Sequence, residues 1–218
     1  MGLLAGSVFS LGARNAPIAG CATSESLYRA DAFVVSTFSL APRTDISAES
    51  YAYHKLLMGL AGQVQVYLQA GCGWQLDEGA TLVTPKDAPV GVRSSNGGVY
   101  LEISMTEEAS MNEALAAGEV VRLADLLPYR EGRVVNMDLA HNEGFKLALM
   151  SFDAGTGLDE HAAPGEALVF ALDGEGVIGY EGTEHAIRAG ENFKFDRGGR
   201  HYVRADRPFK MALLLTLH

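Results

Sequence analysis

His161 and His201 stand where another part of the same chain has no histidine. The chain matches itself at a spacing of 112 residues (117 − 5): Ala5-Gly6-x-Val8-x-x-Leu11 recurs as Ala117-Gly118-x-Val120-x-x-Leu123. Phe33 recurs as Phe145, Thr44 as Thr156, and Leu60-x-Gly62 as Leu172-x-Gly174. After a one-residue slip the spacing is 111 (190 − 79), and Gly79 recurs as Gly190. In this alignment Glu49 takes the place of His161, and Val90 takes the place of His201. Imidazole is the commonest protein metal ligand. The second copy is therefore the place to search for chemistry, and the first reads as a scaffold.

A repeat this long exceeds the roughly 20–50 residues of solenoid units and reads as a duplicated domain. The elements that must position the histidines are short strands. In the second copy, apolar runs at 145–152, 167–172 and 177–180 end in glycine-rich turns, and further strands follow at 185–188, 192–195, 201–204 and 210–217. The first copy has the same rhythm at 33–40, 55–60, 63–68, 81–84, 90–94 and 99–105. Many short strands with such turns predict an all-β sandwich or barrel. One helix is expected, over 106–117, rich in Glu, Ala, Met and Leu. Thr106 or Ser104-x-x-Glu107 would cap its start and Gly118 its end. The expected domains are thus 1–106, a helical connector at 107–118, and 119–218.

The stretch Gly157-Leu-Asp-Glu-His161-Ala-Ala-Pro-Gly-Glu166, closing at Gly174, is followed by Gly190 and then Gly198-Gly-Arg-His201. This pattern resembles the two motifs of the cupins. The resemblance implies an all-β fold of two tandem double-stranded β-helix (jelly-roll) barrels joined by a short helix, the amino-terminal one degenerate. It implies that His161 and His201 are metal ligands. The departures are specific: the second histidine of the first motif is Ala163, the usual glutamate position is Ala167, and the proline of the second motif is Arg197. Glu166 lies one residue early. With it, the set becomes two histidines and one carboxylate, the composition of the facial triad of non-haem iron sites. The implied cofactor is a divalent transition metal (Fe, Mn, Ni or Zn), with Glu166 as ligand or as catalytic general base. Residues 161 and 166 differ by five, so on an uninterrupted strand they face opposite ways. A bulge at Pro164-Gly165 would bring Glu166 inside. His54 takes the equivalent place in the first copy, beside Glu49 and Val90. His185 reads as structural, and His141 and His218 as loop and terminus. Tyr180, Tyr202 and Phe170 suit a pocket lining or, more commonly, a core.

Composition narrows the partners. Seventeen Lys and Arg against 27 Asp and Glu give a net charge of −10, which argues against nucleic acid, since phosphate binding needs a cationic face. No run approaches the 18 apolar residues of a membrane span. The sequence Ile18-Ala19-Gly20-Cys21 resembles a lipoprotein cleavage box, but no basic residue precedes the apolar stretch, and residues 5–11 belong to the repeat. Met1-Gly2 lacks the Ser or Thr that myristoylation requires at position six. Cys21 and Cys72 are too few for a disulfide framework, which favours a reducing, cytoplasmic setting. Nucleophile elbows, phosphate loops and dinucleotide fingerprints do not occur. Two functions follow. One is a metal-dependent isomerase, decarboxylase or dioxygenase acting on a small molecule in the second barrel. The other is a non-catalytic protein that binds or senses a small metabolite or metal. The two barrels are expected to pair as a pseudo-dimer, and a homodimer of chains is compatible with this.

Overall fold

A computed structural model describes residues 3–68, 71 and 73–217; Met1, Gly2, Gln69, Ala70, Cys72 and His218 lie outside the described residues. The chain is almost entirely strand, arranged as two compact units. The unit named first-copy after the sequence expectation comprises Leu11–Ala109 and Glu113–Arg122, and the one named second-copy comprises Leu123–His218 with Met1–Ser10 and Ser110–Asn112. No helix is long and apolar enough to cross a membrane among the described residues.

The two units have matching topologies. In the second-copy unit, strands Asn192–Phe195, Ala167–Tyr180, Phe209–Thr216, Phe145–Phe152 and Val134–His141 lie side by side in that order. In the first-copy unit the order is Ala80–Val83, Lys55–Leu68, Gly98–Ser104, Val34–Leu40 and Ala22–Arg29. Each main sheet gains an edge strand from a distant part of the sequence. Val8–Phe9 pairs antiparallel with Asn192–Phe195, and Val120–Arg122 pairs with Ala80–Val83.

The glycine-rich turns expected within 60–63 and 173–176 are not chain reversals. Lys55–Leu68 and Ala167–Tyr180 are each one continuous strand of 14 residues. Each bends at a register shift, between Gly59 and Ala61 and between Ala171 and Asp173, and passes from one sheet to another. A bulge is how a strand turns such a corner. Gly174 sits at one corner with φ 71°, where a Cβ would lie 2.0 Å from the Pro208 carbonyl oxygen, so only glycine fits.

The helix expected over 106–117 does not form. Ser110–Met111 is instead a two-residue strand paired with Ala140 and His141, followed by a single 3-10 turn at Glu113–Leu115. Sheet pairing overrides the helical preference of this stretch. The boundaries also differ from 106 and 119, because residues before Leu11 and at 110–112 join the second-copy unit.

The core of the second-copy unit gathers Phe152, Phe193, Phe195, Phe209, Ile178 and Met211 around Ala163 and Ala167. The core of the first-copy unit is built on Leu40, Leu57, Val66, Leu82 and Tyr100. Val34–Leu40 and Thr44–Glu49 alternate in burial as half-buried strands do, whereas Ala80–Val83 and Asn192–Phe195 are buried at every position.

Candidate functional site

His161 and His201 meet across a strand pair. Thr156–Ala162 runs antiparallel to Arg200–Ala205, and a bulge between Leu158 and His161 brings the two histidines into register as direct partners. Their rings lie 4.3 Å apart. His201 is buried and stacks on Phe195 at 4.0 Å, while His161 is exposed. The first copy repeats this bulge between Ile46 and Glu49, and Glu49 pairs with Val90. The residue correspondence read from the sequence is therefore also a correspondence of register.

Each imidazole is oriented by a backbone carbonyl. Nδ1 of His161 lies 2.9 Å from the Asp159 oxygen, and Nδ1 of His201 lies 3.1 Å from the Gly199 oxygen. A carbonyl can only accept, so Nδ1 carries the proton and the neutral ring keeps its lone pair on Nε2. Burial pushes the His201 pKa below its ordinary value, against the opposing pull of the Gly199 carbonyl. The pair thus presents two oriented, lone-pair-bearing nitrogens, the usual preparation of a ligating histidine.

Glu166 is placed differently. Thr156–Ala162 ends before the Pro164-Gly165 turn, and the bulge falls at Leu158–His161 rather than at that turn. The backbone of Glu166 is tied to Thr216, with the Thr216 amide donating to its carbonyl at 2.9 Å. Gly165 packs so tightly here that a Cβ would meet the Thr216 oxygen at 1.8 Å. The Glu166 carboxylate pairs with Lys194 at 3.2 Å, and Lys194 also holds Asp196 at 3.0 Å. Burial disfavours the Lys194 charge, but the hydrogen bonds to Asp196 and Glu166 outweigh it and hold the ammonium above its usual range. Among the described residues, no three His, Cys, Asp or Glu side chains gather as a metal-binding group. A catalytic metal centre ordinarily takes three protein ligands; here two histidines stand together and the carboxylate of Glu166 is engaged by Lys194.

Of the other residues singled out from the sequence, His141 ends the strand Val134–His141 rather than lying in a loop, and His218 lies outside the described residues. His54 Nδ1 lies 2.7 Å from the Thr84 carbonyl oxygen, and the His185 ring packs 5.1 Å from Phe193. Phe170 is buried, Tyr180 packs on Phe193 and Phe195, and Tyr202 donates to Glu184 on the exposed face.

A cavity that the sequence reading passed over lies in the first-copy unit. It has a volume of about 170 Å³. Its apolar wall is formed by Phe38, Ile46, Leu57, Val90, Val92 and Tyr100. Phe38 and Tyr100 stack at 5.1 Å, within 8° of parallel. Its polar side carries Glu49, Tyr51, Tyr53, Lys55 and Glu102. Lys55 pairs with Glu102 at 3.1 Å and sits 3.7 Å from the centre of the Tyr51 ring. The Tyr51 hydroxyl donates to Glu49. That bond, together with burial, pushes the Tyr51 phenol up to about 12, so it stays a donor near neutrality. Tyr51-x-Tyr53-x-Lys55 was the available signal: three residues two apart, of types that line polar pockets. With Glu49 and Val90 at the two histidine places, this signal does not stand out from a structural strand.

Residues 148–217 match a family described as the cupin domain. No curated protein matches the chain. Among solved structures it is similar to a Cupin 2 conserved barrel domain protein from Leptotrichia buccalis, with 23% identity, a TM-score of 0.85 and 98% of each chain covered. It is also similar to salicylate 1,2-dioxygenase from Pseudoaminobacter salicylatoxidans, solved as adducts with gentisate. There the identity is 12%, the TM-score 0.62, and coverage 88% of this chain and 72% of that one. A variant of oxalate decarboxylase from Bacillus subtilis matches with 12% identity and a TM-score of 0.53, over 99% of this chain and 78% of that one. At these identities the likeness is one of fold.

Proposed function

We propose, for a chain whose residues 148–217 are a cupin domain, that it binds a small polar organic molecule at the His161–His201 pair of the second-copy unit without a catalytic metal. The observation that carries this reading is the fate of Glu166. Its carboxylate is engaged by Lys194 at 3.2 Å, which leaves the two imidazoles without the third donor of a catalytic set. Two oriented Nε2 acceptors side by side suit a ligand with adjacent hydroxyl or amine donors. The loss of the second motif histidine, replaced by the buried Ala163, points the same way.

The second reading is a metal-dependent enzyme of isomerase, decarboxylase or dioxygenase type, with a divalent metal on His161, Glu166 and His201. The anchoring of both Nδ1 atoms on backbone carbonyls favours it. It requires Glu166 to leave Lys194. Internal duplication, cytoplasmic residence and self-association complete the proposal; sedimentation of the full chain tests the last.

Elemental analysis of untagged protein, reconstituted with Fe, Mn, Ni, Zn and Cu, separates the readings. The wild type is compared with the His161→Ala/His201→Ala variant. No retained metal is the expected result. About one metal per chain, lost in the variant, would replace the binding reading with the enzymatic one.

A further inference from the structure

We infer that the cavity of the first-copy unit is a separate ligand site, and that it takes a small organic cation: a ring-sized amine. Size comes first. About 170 Å³ is close to the roughly 150 Å³ of an engineered apolar cavity that binds benzene. One ring or a short branched chain fits, and a sugar phosphate or a nucleotide does not.

Charge selects the head group. The polar side holds two carboxylates, Glu49 and Glu102, against one ammonium, Lys55. Lys55 is already neutralised by Glu102 at 3.1 Å, and Glu102 also accepts from the Ser104 hydroxyl at 2.8 Å. Glu49 is different: its partner is the neutral Tyr51 hydroxyl. An ionised carboxylate has about four acceptor positions, and Tyr51 occupies one. Glu49 is exposed at the mouth, where an incoming cation reaches it without opening the buried pair. An anion would have to displace Glu102 from Lys55 with Glu49 beside it.

The walls suit the body of such a molecule. Phe38 and Tyr100 form a stacked aromatic surface, with Ile46, Val90 and Val92 completing an apolar lining. Tyr51 already faces a cation through its ring at 3.7 Å, so the pocket's electrostatics accommodate positive charge. At the place of His161 this copy has Glu49, and at the place of His201 it has Val90. One exchange supplies the counter-charge, and the other supplies room and apolar surface.

The test titrates the full chain with benzylammonium, benzyl alcohol and benzoate, each up to its solubility limit. Amide shifts in a 1H–15N spectrum are the readout. Benzylammonium is expected to bind and to shift Gly91 and Val92. Benzyl alcohol should bind more weakly, and benzoate more weakly still. Glu49→Gln should weaken benzylammonium about fivefold, the scale of a solvent-exposed charge pair. Val90→Trp, which fills the cavity, should abolish its binding. The His161→Ala/His201→Ala variant should bind it like the wild type, which separates this site from the one proposed for the second-copy unit. Three results would overturn the inference: benzoate or benzyl alcohol binding as tightly as the amine, undiminished binding in Glu49→Gln, or no binding of benzylammonium at all.

Discussion

Lys55→Met should destabilise the first-copy unit by about 2–3 kcal/mol, and the reasoning rests on one ion pair. Lys55 and Glu102 are 3.1 Å apart, with side chains only 17% and 12% exposed. Unit charges at that distance attract by about 5 kcal/mol at an effective dielectric of 20 and by about 1 kcal/mol in water. Desolvation offsets most of that gain. Removing the ammonium leaves the Glu102 carboxylate largely buried, with the Ser104 hydroxyl as its remaining partner. Breaking a fully buried pair costs about 3–5 kcal/mol, and the residual hydration here lowers the figure. Removing both charges, by Lys55→Met with Glu102→Leu, eliminates the stranded carboxylate. The double variant should lie within about 1 kcal/mol of wild type, giving a coupling of about 2 kcal/mol or more. Urea unfolding followed by tryptophan emission is the suitable assay. Trp74 is the sole tryptophan, and its indole N–H donates to the Gly118 carbonyl within this same unit. Its signal reports this unit even if the other unfolds separately. With a slope of about 1.5 kcal/mol per molar urea, the single variant should shift the midpoint by about 1.5 M. A coupling below about 0.5 kcal/mol would refute the argument that Glu102 depends on Lys55.

Three further outcomes are expected in the second-copy unit. Gly165→Ala places a Cβ 1.8 Å from the Thr216 carbonyl oxygen, so the terminal strand must move; a loss of about 3 kcal/mol should appear as lowered thermal stability. Phe209→Ala removes a fully buried ring that packs 5.9 Å from Phe152; a cost of about 3–5 kcal/mol should appear as faster hydrogen exchange across that core. The His201 pKa is held below its unfolded value of about 6.5 by burial, so the unfolded chain binds more protons just below that pH. Stability from this residue is therefore complete above about pH 6.5 and declines as pH falls through the window beneath it. His201→Gln should flatten that slope in urea midpoints measured from pH 8 to pH 5.

What could be read from the sequence was set by how locally each feature is encoded. The pairing of His161 with His201 was legible because the repeat placed them opposite Glu49 and Val90, and register preserves that relation through an identical bulge. The two long bent strands were not, because glycine marks a corner and a chain reversal alike. Gly174 is a corner only because Pro208 lies against it, a contact spanning more than thirty residues. The segment 106–117 has the composition of a helix, yet two of its residues are drawn into pairing with Ala140 and His141. The position of Glu166 was undecidable from parity alone, since its bond to Lys194 depends on a strand that begins at Asn192. The cavity stayed hidden for a different reason. Glu49 and Val90 carry no motif of their own, and only the folded strands bring them to one lining.

The exchange of edge strands fixes the order in which this chain can complete itself during synthesis. Val8 and Phe9 leave the ribosome more than 180 residues before their partners, Phe193 and Asn192 (192 − 9 = 183). This arm must therefore wait for its ladder partners until Asn192 and Phe193 have been made. The first-copy unit cannot close its own sheet until Arg122 has emerged to pair with Ala80. A protease cut midway between the copies would part each half from a strand it needs. In a concentrated solution of such fragments, the missing strand can come only from another molecule, so the same exchange that ties one chain together becomes a route by which separate chains entangle.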